Sequence, residues 1–471
     1  MFFGSQNIRN PGFSIALGLI AVAAGYLTLS PSATQPSGAP QFLSAAEAMA
    51  QSALADPEFV IGDQQVDGAA LFQFYLPRNS QLAWSENGKA TANAETALRA
   101  LTNAGEHGLD SSRYHLAQLV YPLDFVGHTD AAVYDLLLTD AVLRYARDVR
   151  IGQGAPAAGY GDVDLPPQTF DPVVSLGHAL DTSTLADFLG GLAPPHLEYR
   201  RLMEALATHG ENNEHVARIK ANMERWRWLP RRMESRYIMI NVADATLQLI
   251  EDGRVVLNSK VIVGKPTTPT PILRTEARGL TVNPPWNVPS SIARNEILPK
   301  LRRNPDYLVS QHMILLDGPT NDPHGTHIDW KKISPASVPY RLQQIPGSDN
   351  ALGIVKFEMP NRFDVYLHDT SERNLFARSS RTLSHGCIRV EAIQPLAKAV
   401  LAGSNPPALE QLDEAIRNGK TTRFPLKQPL PVYVVYWTAF PGADGTMQFR
   451  PDVYGRDWRL DRHQSSEGRR S

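Results

Sequence analysis

The sequence predicts an α+β multidomain protein: a helical scaffold domain over residues 44–230, then a mostly-β, sandwich-like domain over residues 236–458. Two observations carry this. Before position 230 apolar residues recur at helical spacing, and after Arg236 they alternate as strand residues do. A third observation bounds it: 42% of residues are apolar and 20% charged, the balance of a folded chain.

The first segment stands apart from both domains. Gly12 to Leu29 contains no charge, comes after Arg9 and precedes Ser30-Pro31-Ser32-Ala33. That is the layout of a secretory signal. It also approaches the about 17–25 apolar residues that span a bilayer, so a cleaved signal and a retained inner-membrane anchor both stand. Either places the bulk of the chain outside the cytoplasm. Residues 31–43, rich in Pro, Ser and Ala, form a tether, so 1–43 is read as signal or anchor plus tether.

In the helical half, Tyr134, Leu137, Leu138, Ala141, Val142, Tyr145 and Val149 form one apolar stripe. Asp110, behind Gly108-Leu109, has the character of an N-cap that opens a new helix. Residues 151–173 read as loop. Phe72, Phe74, Tyr75 and Trp84 read as packing rather than a ligand groove.

The β half begins with Arg236–Val242 and Thr246–Ile250. Asp252-Gly253 then carries a hairpin signal ahead of Val255–Val263. Further strands are expected at Phe363–His368 and Val432–Thr438, and a short helix at Ile393–Leu401 with Gly403 as its stop. Residues 296–347 break the strand pattern and read as a loop-rich insertion. Residues 459–471 are polar and read as a disordered tail.

The formal net charge of −2 gives no basic face for nucleic acid. Cys387 is the chain's single cysteine, which excludes an internal disulfide and any zinc site needing two thiolates. No Ser-x-x-Lys and no His-Glu-x-x-His occurs, and His324 and His327 lack a complement at ligand spacing. Cys387 lies in Ser384-His385-Gly386-Cys387. On the expected strand, Phe363, Val365 and Leu367 share the apolar face, and Tyr366 and His368 the other. An imidazole close by can turn a thiol into a thiolate, Gly386 permits a tight turn, and convergent N–H groups can hold an oxyanion. On the residues alone, a nucleophile and a buried small hydrophobe both remain open.

His368, fifteen residues and then Ser384-His385-Gly386-Cys387 resemble the signature of L,D-transpeptidases with a YkuD-type catalytic domain. Further segments are similar to the larger, Gram-negative branch of that family, which carries a helical scaffold domain. They include Asn222-x-Glu224-Arg225-x-x-Trp228-Leu229-Pro230, Val263-Gly264-Lys265, Asn283-Pro-Pro-Trp286, Pro346-Gly347-x-x-Asn350 and Tyr366-Leu-His-Asp-Thr370. Phe74-Tyr75 with Trp84, and Gly108-Leu-Asp110 with Tyr114-His115, extend the similarity over roughly residues 65–458. The chain departs from the branch in one respect: the stretch from Glu204 to Asn222 is too short for the usual peptidoglycan-binding module.

The resemblance implies that Cys387 is the nucleophile and His368 the general base. It implies that His385, Gly386 and Cys387 line the oxyanion hole with support from Ser384. Arg389, Tyr366, Trp286 and Asn350 are implied to meet substrate, and residues 296–347 to cap the site. The implied activity is periplasmic peptidoglycan crosslinking, with a tetrapeptide stem as donor and a second stem as acceptor. No metal or organic cofactor is implied, and carbapenem-type β-lactams are implied as covalent inhibitors. Water as acceptor (an L,D-carboxypeptidase), a wall-protein acceptor, or a non-catalytic wall-binding scaffold are the alternatives.

Overall fold

In a computed structural model the described residues are 59–460, apart from 80, 121–127, 155–160, 210–213, 337 and 458–459. The expected signal or anchor with its tether (1–43) lies outside the described residues, as does the polar tail apart from Leu460. Leu460 is buried in the β core, so the tail does not begin at 459 as expected. Among the described residues no helix is long and apolar enough to cross a membrane.

The helical half opens with α1 (Gly68–Tyr75), whose first turn is capped by Asp67, and α2 (Ala92–Thr102), capped by Thr91. The long α3 (His128–Ile151) buries the stripe from Tyr134 to Val149 against Phe74, Tyr75 and Trp84, so these aromatics pack. Asp110 does cap, but it opens a single 3-10 turn, Ser111–Tyr114, rather than a full helix. Residues 151–173 are not all loop. Val163–Asp164 form β1, which pairs in parallel with the start of a strand in the β half. Helices α4 (Pro172–Asp181), α5 (Leu185–Gly190), α6 (Leu197–Thr208) and α7 (Glu214–Arg227) complete this half.

The β half starts as a meander of β2 (Arg236–Asn241), β3 (Thr246–Glu251) and β4 (Arg254–Gly264). Asp252 (φ 48°) and Gly253 (φ 76°) are both left-handed, as a two-residue I′ hairpin requires. Next along the chain come β5 (Ile272–Val282), β6 (Val355–Glu358), β7 (Leu367–His368), β8 (Thr382–Ser384), β9 (Ile388–Val390) and β10 (Thr422–Val435). The order is β6-β7-β9-β4-β3-β2-β10-β5-β1, with β8 alongside β4. Because β5 also pairs with β6, the sheet closes around its core, and the two sandwich-like layers are one curled sheet.

Two helices, α8 (Ile393–Ser404) and α9 (Pro406–Arg417), pack on this core, and the second was not expected. Gly403 lies inside α8 and does not stop it. A Cβ there would fall 2.1 Å from the Arg236 guanidinium, which crosses the helix to reach the Ala399 carbonyl at 2.7 Å. The expected strand 363–368 shortens to Leu367–His368. The Asn361 side chain folds back onto the N–H groups of Phe363 and Val365, and Asp364 turns left-handed (φ 54°).

The insertion is also more ordered than its loop-rich sequence suggests. Trp286–Asn287, Leu342–Gln344 and Met313–Leu315 form a three-stranded sheet. Around it Ile297, Leu298, Leu301, Leu308, Trp330 and Leu342 make a separate apolar core. Its helical segments are the abutting α and π turns from Ser290 to Leu301 and the single turn Tyr307–Ser310, too irregular to leave a periodic signal in the sequence.

Candidate active site

One face of β6, β7 and β9 turns away from the core. Val355, Phe357, Leu367, Ile388 and Val390 point inward and are fully buried. Alternation therefore turns Lys356, Glu358, Tyr366, His368, Cys387 and Arg389 outward. Register sets their order: Lys356 faces His368 across an antiparallel pair, and His368 lies beside Arg389 across a parallel one. One step back along the same pair of strands, Tyr366 lies beside Cys387. All six line a cavity of about 1110 Å³, whose far wall is formed by Trp286 and Ile292, just ahead of the insertion, and by Glu296 at its start.

Cys387 is half-buried, with its sulfur 3.7 Å from the Asp364 carbonyl. Burial pushes the thiol pKa up. Hydrogen bonds from the Tyr366 main chain and hydroxyl, and the charge of Lys356, pull it part of the way back. His368 goes the other way: burial, then the charge of Arg389, press its imidazole down to about 3. Its contact with the Asp369 backbone acts in the opposite sense, and buried Nδ1 has no hydrogen-bond partner. Burial thus favours the neutral form of both groups.

Alkylation of Cys387 by iodoacetamide should report this directly. Below a raised thiol pKa the thiolate fraction grows about tenfold per pH unit. The rate, read by intact mass, is expected to climb steadily from pH 6 to 8.5. A plateau reached near pH 6 would instead mean a preformed ion pair.

The turn carrying Cys387 is held from beneath. The Ser384 carbonyl accepts from Lys265 N–H (2.9 Å) and the Thr268 hydroxyl (3.2 Å), and the Gly386 carbonyl from Thr270 (2.8 Å). The Ser384 hydroxyl donates to the Cys387 carbonyl at 2.6 Å and accepts the Gly386 N–H at 3.1 Å. That last bond corrects the reading of Gly386 as an oxyanion donor, since its N–H is already engaged. What Gly386 contributes is φ 115°, which other residues rarely adopt. The N–H groups of His385 and Cys387 have no partner among the described residues, so they are the donors left free on this turn.

His385 reaches across the cavity mouth to hydrogen-bond Glu296 of the insertion. Arg389 lines the cavity with its charge paired to Glu372 at 2.6 Å. Trp286 and Tyr366 are also on the wall, but Asn350 is not. Its amide is spent on the Ile345 carbonyl (2.9 Å) and on Leu352 N–H (2.8 Å), so it folds the loop that brings Leu352 to the cavity. Sequence reasoning missed Lys356, Thr270 and Glu296. The alternation of Val355-Lys356-Phe357-Glu358 contained the signal for Lys356; the other two are brought in by tertiary contact.

Known proteins share both halves of this chain. Residues 69–206 match the Scaffold domain and residues 235–411 the L,D-transpeptidase catalytic domain known as YkuD. A Haemophilus influenzae protein, provisionally named an L,D-transpeptidase, is 31% identical over 405 residues, covering 84% of this chain and 80% of that protein. Among solved structures, an L,D-transpeptidase from Mycobacterium smegmatis is 14% identical over 43% of this chain and 58% of its own, with a TM-score of 0.19. An Ldtfm–avibactam carbamoyl enzyme is 15% identical over 72% of this chain and 98% of its own, with a TM-score of 0.21. Those two superpositions are too slight to argue from. The matches along the sequence are not.

Proposed function

Because the chain belongs to the L,D-transpeptidase family, we propose that it is an exported enzyme that crosslinks peptidoglycan through a thioester on Cys387. The donor is a tetrapeptide stem. Cys387 attacks the carbonyl between the third residue's L-centre and the terminal D-alanine, while the thiol proton passes to His368 Nδ1. The C–N bond breaks, the His368 proton goes to the departing D-alanine amine, and the acyl group stays on sulfur. The side-chain amine of a second stem then attacks the thioester, gives a proton to His368, and the thiol is restored. Two half-reactions through one acyl-enzyme give ping-pong kinetics. The N-terminal segment delivers the chain to the periplasm.

The observation that carries this reading is the shared sheet face. It places the only thiol and a neutral imidazole with an open, buried Nδ1 in one cavity. A neutral imidazole can accept a proton at neutral pH, so the thiol need not be ionised beforehand. The two free N–H groups on the Cys387 turn suit the oxyanion that forms there.

The test is intact mass after incubation with a carbapenem, beside Cys387→Ala. One adduct on the parent and none on the variant is expected. Equal adducts on both, or none on either, would sink the nucleophile. Disaccharide-tetrapeptide as sole substrate is then expected to yield crosslinked dimer with release of D-alanine. Tripeptide as the dominant product would mean that water is the acceptor.

A further inference from the structure

Lys356 is a charged wall residue that the reaction above leaves idle. Val355 and Phe357 are fully buried, which fixes Lys356 on the cavity side of β6, opposite His368. The carboxylates near it are engaged or distant. Both oxygens of Glu358 accept from Arg423 (2.8 and 2.9 Å), and one also accepts from Thr281 (3.0 Å). Glu372 is taken by Arg389, and Glu296 by His385. Among the described residues Lys356 forms no ion pair; Cys387, Glu358 and Asp364 act on it only through their fields.

What Lys356 does meet is the ring of Tyr366, with Nζ 4.0 Å from the centroid. The same tyrosine lies beside Cys387 in the strand register and favours the thiolate there, and the centroids of its ring and the His368 ring are 5.6 Å apart. A half-buried ammonium with no carboxylate partner is costly to hold in place. Here the π face of Tyr366 offsets part of that cost and holds the ammonium beside the Cys387 turn.

We propose that Lys356 is a positioning residue for the nucleophile: seated on Tyr366, it strengthens the Tyr366 hydroxyl as a donor to the Cys387 sulfur and favours negative charge there. This matters because His368 enters the step neutral. It brings no positive charge until it has taken the proton, so Lys356 is the cation present at the sulfur beforehand. Asp364 opposes it at the sulfur, and Glu358 acts on Lys356 through its field while bound to Arg423; Arg389 is paired with Glu372 and His385 with Glu296 at the rim. The inference rests on Cys387 as the nucleophile, not on the identity of the acyl acceptor.

The test uses the full chain and its single thiol. Lys356→Met is expected to slow iodoacetamide alkylation at pH 7.5 by about threefold to tenfold and to shift the pH profile to higher pH, while Lys356→Arg restores most of the rate. In a Tyr366→Phe background, Lys356→Met is expected to have a smaller effect. A slowing that persists above the thiol pKa, where parent and variant are both fully ionised and a pKa effect must vanish, would mark a structural role and overturn the proposal. So would an unmoved profile combined with weaker donor binding, which would make Lys356 a carboxylate anchor. Alkylation reads the thiol alone, so failure to crosslink peptidoglycan would defeat the functional reading and leave this test standing.

Discussion

His368→Asn is expected to lower the rate of carbapenem acylation at Cys387 about a thousandfold, within the range for losing a positioned general base. The loss should be this large because, of the two imidazoles on the wall, His385 is held by Glu296 and only His368 faces the cavity with an unpartnered ring nitrogen. Tyr366 is a donor whose own pKa is raised by burial, Lys356 is cationic, and Arg389 is bound to Glu372. Asparagine retains a donor for the Asp369 backbone, so the strand pairing of β7 should survive. Acylation at the parent rate would remove His368 from the mechanism.

The same variant carries a stability signature with a definite sign. In the folded protein His368 titrates near 3, against an ordinary value of about 6.5 for the unfolded chain. Between those values the unfolded chain binds the extra proton, so stability drains as pH falls through that window. His368→Asn removes that drain, and its acid-unfolding midpoint is expected to lie lower than the parent's. Losing activity while gaining acid resistance is an outcome that simple misfolding cannot produce.

How much of this could be read from the chain differs from element to element. The stripe from Tyr134 to Val149 and the Asp252-Gly253 hairpin were legible because period and turn chemistry are local. Cys387, Tyr366 and His368 were legible as a group because strand alternation and a spaced motif identify them. The strand around Phe363 was expected to be longer than it is because the Asn361 side chain competes for backbone N–H groups, and propensity does not see that competition. The core of the insertion was invisible, since its apolar residues are dispersed over short turns and meet only in three dimensions. Gly386 was counted among the oxyanion donors for a similar reason: which N–H is free depends on where the Ser384 hydroxyl points.

The largest loss of stability is expected from Glu224→Ala, far from the cavity. Helix α7 joins the two halves, and its last turns bury Asn222, Glu224, Arg225 and Arg227. Glu224 pairs with Arg227 at 2.7 Å and accepts the Gly154 N–H at 2.9 Å. Gly152 lies so close that a Cβ would come within 2.3 Å of the carboxylate. From the other side Arg227 donates to the His107 carbonyl and to the Tyr199 hydroxyl (3.1 Å). Asn222 bonds Thr438 at 2.8 Å and Arg225 pairs with Asp457 at 2.6 Å, tying the same helix to the β half.

Removing Glu224 alone strands a guanidinium with almost no exposure, a change that costs about 3–5 kcal/mol when a buried pair is broken. Urea unfolding should show a loss of that size. The double variant Glu224→Leu with Arg227→Met removes both charges together and is expected to lose less than the single one. If the double variant is the weaker, the helix depends on the bonds this pair makes to its neighbours rather than on balanced charge. The order of the two midpoints therefore decides whether the junction is held by charge compensation or by hydrogen bonding to His107, Gly154 and Tyr199.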